Sequence, residues 1–232
     1  KSQIEIAVIQ EAVDMTASGF ARAMRFVTPG VNEYKVQATL EHEYAMAGGR
    51  GSAFPPIVGG GLNSTVLHYK ENDQDLVEGD LVCIDSGAFH SGYGADISRT
   101  IPVSGKFTKR QKEIYEIVLR AEEASIRAVK PGVTLSELDA VARKIITKAG
   151  FSDYFIHSIG HHLGLETHDT CGPIAPLKKG AVITIEPGIY LPEEAIGVRI
   201  EDDIAVTEKG YKNLSRAIPK SVSAIEEAMR GQ

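Results

Sequence analysis

The chain has 232 residues, 43% of them hydrophobic and 24% charged, and its formal net charge is −6 at pH 7. This length and composition are typical of a globular protein with one large or two small domains. The acidic balance argues against nucleic acid as a partner, because binding to phosphate backbones depends on clustered Lys and Arg. No apolar run approaches the roughly 18 residues of a membrane span, so the sequence predicts no membrane association either.

The two cysteines are too few for a disulfide framework. They favour a reducing compartment, which we expect to be the cytoplasm. Cys83 lies in an apolar run and is expected to be a small buried hydrophobic residue, whereas Cys171 lies in a loop-like stretch.

The first part of the chain predicts two helices. Apolar residues at helical spacing indicate a helix from Ile4 to Phe26, and Pro29-Gly30 ends it. A second helix is predicted from Val36 to Met46, closed by Gly48-Gly49. Beyond this helical pair, the apolar segment Val66–Tyr69 is a candidate for sheet pairing.

A buried strand and its partner are predicted next. The apolar run Leu81–Ile84 indicates a strand that carries the carboxylate of Asp85 at its end. After a Gly-rich turn, Asp96–Val103 is the predicted partner strand. Arg99 on this second strand is expected to be structural rather than catalytic.

The same pattern then begins again. A helix is predicted over Lys109–Val129, and Lys130–Phe151 parallels Thr28–Gly49 at an offset of 102 residues. Both of these stretches indicate a Pro-Gly corner followed by a helix. Further along, Leu177–Gly188 parallels Leu76–Gly87 at an offset of 101 residues. The chain therefore contains a long internal duplication.

This duplication indicates one domain, residues 1–232, built from two pseudo-symmetric α/β halves at roughly residues 4–105 and 106–212. A solenoid is excluded, because solenoid repeats have only about 20–45 residues. The predicted fold class is therefore α+β.

Matching positions of the two halves carry acidic residues. The motif IDSG in the first half corresponds to IEPG in the second, and the motifs ADISRT and VRIEDD each add one more acid. The strands thus direct four carboxylates towards one pocket, namely Asp85, Asp96, Glu186 and Glu201. Four converging negative charges repel one another unless cations neutralise them.

Two divalent cations would offset that charge. A site rich in carboxylate oxygen suits Mn²⁺ best, with Co²⁺, Zn²⁺ or Fe²⁺ as further candidates. Two such ions about 3.5–4 Å apart can share a bridging hydroxide nucleophile and polarise a carbonyl group. The pattern therefore indicates a hydrolase.

Four of the seven histidines are concentrated between His157 and Asp169. The spacing of His157 and His161 would suit two zinc ligands on one face of a helix. Gly160 and Gly164 weaken any helix through this stretch. We therefore predict a strand or loop that lines the site, and the spacing alone leaves open which histidine binds metal.

Four motifs in this order carry a family resemblance: DSGAFHSGYGADISRT, HSIGHHLGLETHD, TIEPGIY and VRIEDD. They resemble the metal-ligand motifs of the pita-bread metallopeptidases, the family of methionine aminopeptidase, aminopeptidase P and prolidase. The resemblance spans nearly the whole chain. It implies the pita-bread fold, in which helices surround a curved, mainly antiparallel sheet.

The resemblance also implies a role for each ligand position. Asp85, Asp96 and Glu201 would hold one metal ion. Asp96, His161, Glu186 and Glu201 would hold the other, so that Asp96 and Glu201 bridge the two. Glu186 would also be the general base for the bridging water.

Within the family, three histidines resemble those of the branch that cleaves Xaa-Pro bonds, where they handle substrate: His68, His157 and His168. Proline-containing peptides are therefore the expected substrates. Arg199, expected on the same strand face as Glu201, is a candidate partner for a ligand carboxylate, and Tyr190 is expected to reach the substrate or the metals. His162 is expected in the pocket wall or at the surface.

Two alternative functions stay open at this point. The first is a methionine aminopeptidase, which shares some of these histidine positions. The second is a non-catalytic binding module on the same fold, but such relatives tend to lose ligands and here all five are present. A metal-free creatinase is disfavoured for the same reason.

The Xaa-Pro branch usually carries an additional N-terminal domain, which we expect to be absent from this chain. In relatives that domain helps to form a dimer and to restrict the pocket. Without that domain the oligomeric state stays open, with a homodimer as one alternative, and so does the preferred length of the peptide substrate.

Overall fold

The computed structural model describes residues 1–230. Two pairs of helices begin the two halves: α1 (Gln3–Phe26) packs on α2 (Glu33–Met46), and α3 (Lys109–Ala128) packs on α4 (Leu135–Lys148). Each helix begins at a side chain that accepts a hydrogen bond from the first turn, from Ser2, Asn32, Thr108 and Thr134 respectively. Within residues 1–230 no helix is both long enough and apolar enough to cross a membrane.

Ten short strands and a last helix complete the fold. They are β1 (Ile57–Gly60), β2 (Leu81–Ser86), β3 (Phe89–His90), β4 (Tyr93–Gly94), β5 (Ile97–Pro102), β6 (Val182–Ile185), β7 (Gly188–Leu191), β8 (Ile196–Arg199), β9 (Asp202–Val206), β10 (Tyr211–Asn213) and α5 (Val222–Ala228). The order in one sheet is β1-β2-β5 and in another β10-β9-β6, while β3-β4 and β7-β8 form two-stranded ribbons. Among the described residues every pair is antiparallel, as predicted.

The two halves share one continuous apolar core. Buried side chains from the helices and from both three-stranded sheets belong to a single cluster. Helix α2 of the first half corresponds to α4 of the second: each has 14 residues, and they begin 102 positions apart in sequence. Helices, corners and sheets thus follow the same order in both halves.

Backbone and side-chain hydrogen bonds join the sheets of the two halves. The amide N–H of Glu201 donates to the Ser98 carbonyl at 3.1 Å. Thr100 Oγ1 accepts from the Arg199 amide at 3.0 Å and lies 3.1 Å from the Arg199 carbonyl. This line of contacts places β5 of the first half beside the link between β8 and β9.

The predicted helices are confirmed, with α2 beginning three residues earlier than expected. The stretch from His157 to Asp169 is irregular, apart from bridges of His162 to Asp169 and Ile183, which confirms the prediction of a loop.

The prediction of sheet pairing for Val66–Tyr69 is wrong. A 3₁₀ turn at Gly61–Thr65 leads into a further turn, in which the Tyr69 amide donates to the Val66 carbonyl at 3.3 Å. The Tyr69 hydroxyl donates to the buried carboxylate of Glu33 at 2.8 Å. This long-range bond ties Tyr69 to the start of α2, and local apolar character does not reveal it.

Candidate active site

A cavity of about 240 Å³ opens beside the join of the two halves. Its lining combines carboxylates, three histidines, one lysine and an apolar corner: Phe54, Pro55, Ile57, His68, Lys70, Asp85, Asp96, His161, Thr167, His168, Glu186 and Glu201. All four predicted carboxylates and the predicted histidine ligand therefore reach one space.

Strand ends position the acidic side chains. Asp85 lies within β2, Asp96 immediately precedes β5, and Glu186 immediately follows β6. Glu201 lies in the link between β8 and β9, whereas Arg199 ends β8. Although no strand spans both residues, their side chains point to the same side, because Arg199 Nε and Glu201 Oε2 each lie 2.8 Å from Ser98 Oγ.

Three of the ligand candidates form a tight group. Asp96, His161 and Glu201 each offer one ligand atom, and these atoms lie within 4.8 Å of one another. His161 Nε2 is 3.2 Å from Asp96 Oδ2 and 3.5 Å from Glu186 Oε1. Asp85 lines the same cavity, and its charge adds to the effect of burial in raising the pKa of Asp96. We call Asp85, Asp96, Glu186 and Glu201 together the acidic wall.

Burial makes this group of carboxylates costly to ionise. It raises the pKa values of Asp96 and Glu201 well above their ordinary range, and the charges of neighbouring carboxylates raise them further. Burial likewise raises the pKa of Glu186 to about 7, although His161 opposes the shift. Asp203 is affected too, since burial and the charge of Asp96 raise its pKa. The protein itself supplies too little positive charge here.

Divalent cations would supply the positive charge that the protein lacks beside these carboxylates. One oxygen of Asp85, Oδ1, is buried and has no hydrogen-bond partner within residues 1–230. A buried acceptor without a donor is unfavourable unless something else binds it. Carboxylate oxygens with one imidazole are ligands for hard or intermediate divalent ions. The donor set and the unpaired oxygen both suit a metal centre.

The ring of His161 is oriented for a ligand role. Its Nδ1 lies 3.1 Å from the His162 carbonyl, and because a carbonyl can only accept, Nδ1 carries the proton. The lone pair of Nε2 is then free to face Asp96 and Glu186. Such a backbone contact on the second nitrogen is the usual way in which proteins orient a metal-binding imidazole.

Three side chains form a hydrogen-bonded chain behind the acidic wall. Arg199 donates to Asp85 Oδ2 at 2.8 Å and to the Tyr190 hydroxyl at 3.0 Å. The Tyr190 hydroxyl lies 2.8 Å from His157 Nε2, and His157 Nδ1 lies 2.9 Å from the Ser158 carbonyl. Nδ1 therefore donates and Nε2 accepts from Tyr190. Burial, followed by the charge of Arg199, lowers the pKa of His157 to about 4, which keeps this imidazole neutral.

The family is decided by comparison with known proteins. A model of metallopeptidase family M24 matches residues 7–208. The chain belongs to this family. Its similarity to solved structures confirms the pita-bread fold: aminopeptidase P from Escherichia coli with the inhibitor Pro-Leu superimposes with a TM-score of 0.95 at 38% identity, over 99% of this chain and 59% of that one.

Curated members of the family are similarly related. The Xaa-Pro aminopeptidase of Escherichia coli is 38% identical, over 99% of this chain and 59% of that protein. The Xaa-Pro dipeptidase of Pyrococcus furiosus is 43% identical, over 93% of this chain and 63% of that protein. The chain thus spans about three-fifths of the length of these relatives.

For this M24 member, the histidines differ in what they can reach. His68 and His168 line the cavity, and the ring centroids of His168 and His161 are 4.1 Å apart. His157 does not line it, and protein groups engage both of its ring nitrogens. One of these groups is the hydroxyl of the buried Tyr190, and contact of either residue with substrate stays a prediction.

His162 is buried, with 7% of its surface exposed, and it lies outside the cavity lining. The expectation of a surface or pocket-wall position is therefore wrong. The backbone of His162 forms bridges to Asp169 and Ile183. Its side chain is buried, whereas that of the neighbouring His161 lines the cavity.

Two hydroxyl residues that the sequence analysis did not predict, Ser98 and Thr184, support the ligand candidates. Ser98 Oγ donates to Glu201 Oε2 at 2.8 Å. Thr184 Oγ1 donates to Glu186 Oε1 at 3.3 Å and accepts from the His161 amide at 3.1 Å. Each lies two positions from a predicted ligand, Asp96 or Glu186. The strand period of two residues is the signal that could have found them.

A buried carboxylate holds the segment that carries His68. Glu33 is fully buried and accepts from the Gly60 and Gln74 amides, at 2.8 and 3.0 Å. It also accepts from the Tyr69 hydroxyl at 2.8 Å, directly beside His68. The position of His68 in the cavity therefore depends on the first residue of α2.

Proposed function

We propose that this chain is the catalytic part of a metal-dependent exopeptidase that hydrolyses the N-terminal Xaa-Pro bond of peptides. One observation carries the proposal: four carboxylates and one oriented imidazole converge on a cavity where the protein supplies too little positive charge of its own. Relatives named Xaa-Pro aminopeptidase and Xaa-Pro dipeptidase support the choice of substrate.

The ligand set divides between two divalent cations, with manganese the favoured metal. Asp85, Asp96 and Glu201 would hold one ion, and Asp96, His161, Glu186 and Glu201 the other. When bound, the ions supply an activated water nucleophile and polarise the scissile carbonyl. Their charge would also match that of the buried carboxylates, which supports two ions rather than one.

The chain's own residues perform the remaining tasks. Glu186 faces the cavity and is held by Thr184, so its carboxylate can accept a proton from the attacking water and pass it to the proline nitrogen. The proline nitrogen must gain a proton as the C–N bond breaks, because an amide anion is too poor a leaving group, and the Xaa-Pro amide brings no N–H of its own. His68 and His168 line the cavity and can donate hydrogen bonds to the substrate. Tyr190 and His157 support Arg199, which holds Asp85.

Two free cysteines support a reducing compartment, and we propose the cytoplasm. Cys83 is buried and Cys171 is exposed, and neither forms a disulfide. An exposed thiol persists most readily where the redox environment keeps cysteines reduced.

The decisive experiment is cleavage of Xaa-Pro dipeptides and tripeptides by the purified protein with Mn²⁺ and after chelation. We expect turnover that disappears with chelation and returns when Mn²⁺ is restored. Turnover that is independent of metal, or preference for Met-Ala peptides over Xaa-Pro peptides, would overturn the proposal.

A further inference from the structure

One side chain of the cavity lining has no task in the proposed reaction. Lys70 lies two positions after His68 and lines the cavity together with the apolar corner of Phe54, Pro55 and Ile57. Of the described residues that line this space, it is the only lysine or arginine. Within residues 1–230 no carboxylate lies within ion-pair distance of its ammonium group.

The other cation of the site cannot take over this position. Arg199 donates to Ser98 Oγ, to the Tyr190 hydroxyl and to Asp85, and its side chain is only 2% exposed. It lies behind the acidic wall and outside the cavity lining. An anionic group of a bound molecule can therefore reach Lys70 but not Arg199.

The balance of charge in the cavity shows what Lys70 would attract. Four carboxylates line it, and two divalent cations would cancel their formal charge. The ammonium of Lys70 then remains as an uncompensated positive charge in the wall. Such a charge favours a substrate with a negative group a short distance from the scissile bond.

Together these observations identify a substrate class. We propose that Lys70 binds the C-terminal carboxylate of short peptides, so that the enzyme prefers Xaa-Pro substrates with a free carboxylate to those whose terminus is blocked or distant. This inference rests on the proposed function and extends it. Lys70 is thus a specificity-determining residue, and it takes no part in proton transfer.

The expected effect is moderate, because Lys70 is exposed and water screens its charge. Replacing it should lower the preference for free acids about fivefold, the upper range measured for exposed ion pairs. Raising the salt concentration should reduce the preference of the wild type, since mobile ions screen exposed charges.

The test compares kcat and KM for matched peptides that end in a free acid or in an amide, at the dipeptide and tripeptide lengths. The proteins are the wild type, Lys70→Met, Lys70→Arg and the control Lys35→Met, which removes an exposed lysine from α2 outside the cavity. A tripeptide amide with Glu after proline separates an acidic side chain from a terminal carboxylate.

We expect the wild type to favour free acids mainly through KM. Lys70→Met should lose that preference, while Lys70→Arg and Lys35→Met should keep it. An equal acid-to-amide ratio in the wild type and Lys70→Met would overturn the inference, as would a wild-type preference for the Glu-containing amide over the free acids. If the wild type cleaves neither acids nor amides in the presence of Mn²⁺, it is the proposed function that fails.

Discussion

Two clusters of buried charge lie on opposite sides of β5, and they are built differently. The inner cluster consists of the four carboxylates of the cavity and Arg199, which contacts Ser98. The outer cluster consists of Arg99, Glu122, Asp202 and Lys220. Ser98 and Arg99 are neighbours in sequence, and strand geometry directs successive side chains to opposite faces.

The outer cluster has two cations for its two carboxylates, although burial still raises the pKa of Glu122 well above its ordinary range. Arg99 Nη2 is 2.7 Å from Asp202 Oδ1, and Lys220 Nζ is 2.6 Å from both Asp202 Oδ2 and Glu122 Oε1. Although burial opposes ionisation, Arg99 and Lys220 hold the pKa of Asp202 below its ordinary value. Arg99 also donates to the Ile218 and Pro219 carbonyls, so the cluster fastens the segment before α5 to the sheet.

The inner cluster lacks this balance, since Arg199 alone faces several buried acids. Burial raises the pKa values of Asp96, Glu186 and Glu201, whereas Asp202, although equally buried, has a lowered pKa. The same residue types therefore serve two purposes on the two faces of β5. Paired charge holds the fold together, and unpaired negative charge prepares a place for cations.

The largest effect is expected from Glu186→Gln in the inner cluster. Loss of the general base should lower kcat by about 10²–10⁴-fold. Mn²⁺ should still raise the midpoint of thermal unfolding, because the other ligands remain. Steady-state kinetics and thermal shift would be measured beside Glu208→Gln, which changes an exposed acid. Activity near that of the wild type would remove Glu186 from the role of base.

A large effect on stability is expected from Arg99→Met in the outer cluster. The substitution leaves Asp202 with one cation and deprives four backbone carbonyls, those of Ser98, Glu201, Ile218 and Pro219, of a donor. The free energy of unfolding should therefore fall by about 3–5 kcal/mol. Urea unfolding with and without Mn²⁺ would measure it. The control Arg110→Met breaks an exposed pair with Glu194 and should cost less than about 1 kcal/mol. Equal losses for the two variants would contradict the contrast between buried and exposed pairs.

The smallest effect is expected from Glu5, a partly exposed carboxylate outside both clusters. Its bonds to the Ser2 backbone and to the Tyr93 hydroxyl lower its pKa from 4.5 to about 2. A lowered folded-state pKa stabilises the protein above pH 4.5, and this contribution is lost as the pH falls towards 2.

The wild type should therefore exceed Glu5→Gln in unfolding free energy at pH 7, and the difference should close near pH 2. Urea titrations across this range would test the sign, with Glu11→Gln as a control on the same helix. A difference that grows as the pH falls would show that the hydrogen bonds of Glu5 do not favour its ionised form.

Much of the fold follows from local sequence patterns. The apolar period of α1 and α3 and the Pro-Gly corners before α2 and α4 were sufficient to predict those helices and their order. The internal duplication predicted two similar halves, because it aligned helices, corners and acids together. The segment Val66–Tyr69 was predicted wrongly, since the contact that shapes it comes from distant Glu33.

The positions of the candidate site were also available from sequence, because its acids lie at strand ends in recognisable motifs. The contacts around those acids could not be predicted from the sequence. The sequence does not distinguish buried Glu122 from its exposed neighbour Glu123, and it does not show that Tyr190 engages His157. Such pairings join residues that are far apart in the chain, so only the folded protein reveals them.

By itself, the sequence determined the family motifs, the acidic residues of the candidate site and the duplicated order of helices and strands, since each depends on residue type and short-range spacing. Tertiary structure alone decided which charges are paired. It directed Arg99 to the balanced outer cluster and Arg199 to the acidic inner one, and it left Lys70 facing the cavity. The physical reason is that the state of a buried charge depends on its neighbours in space, and the halves that supply those neighbours meet only on folding.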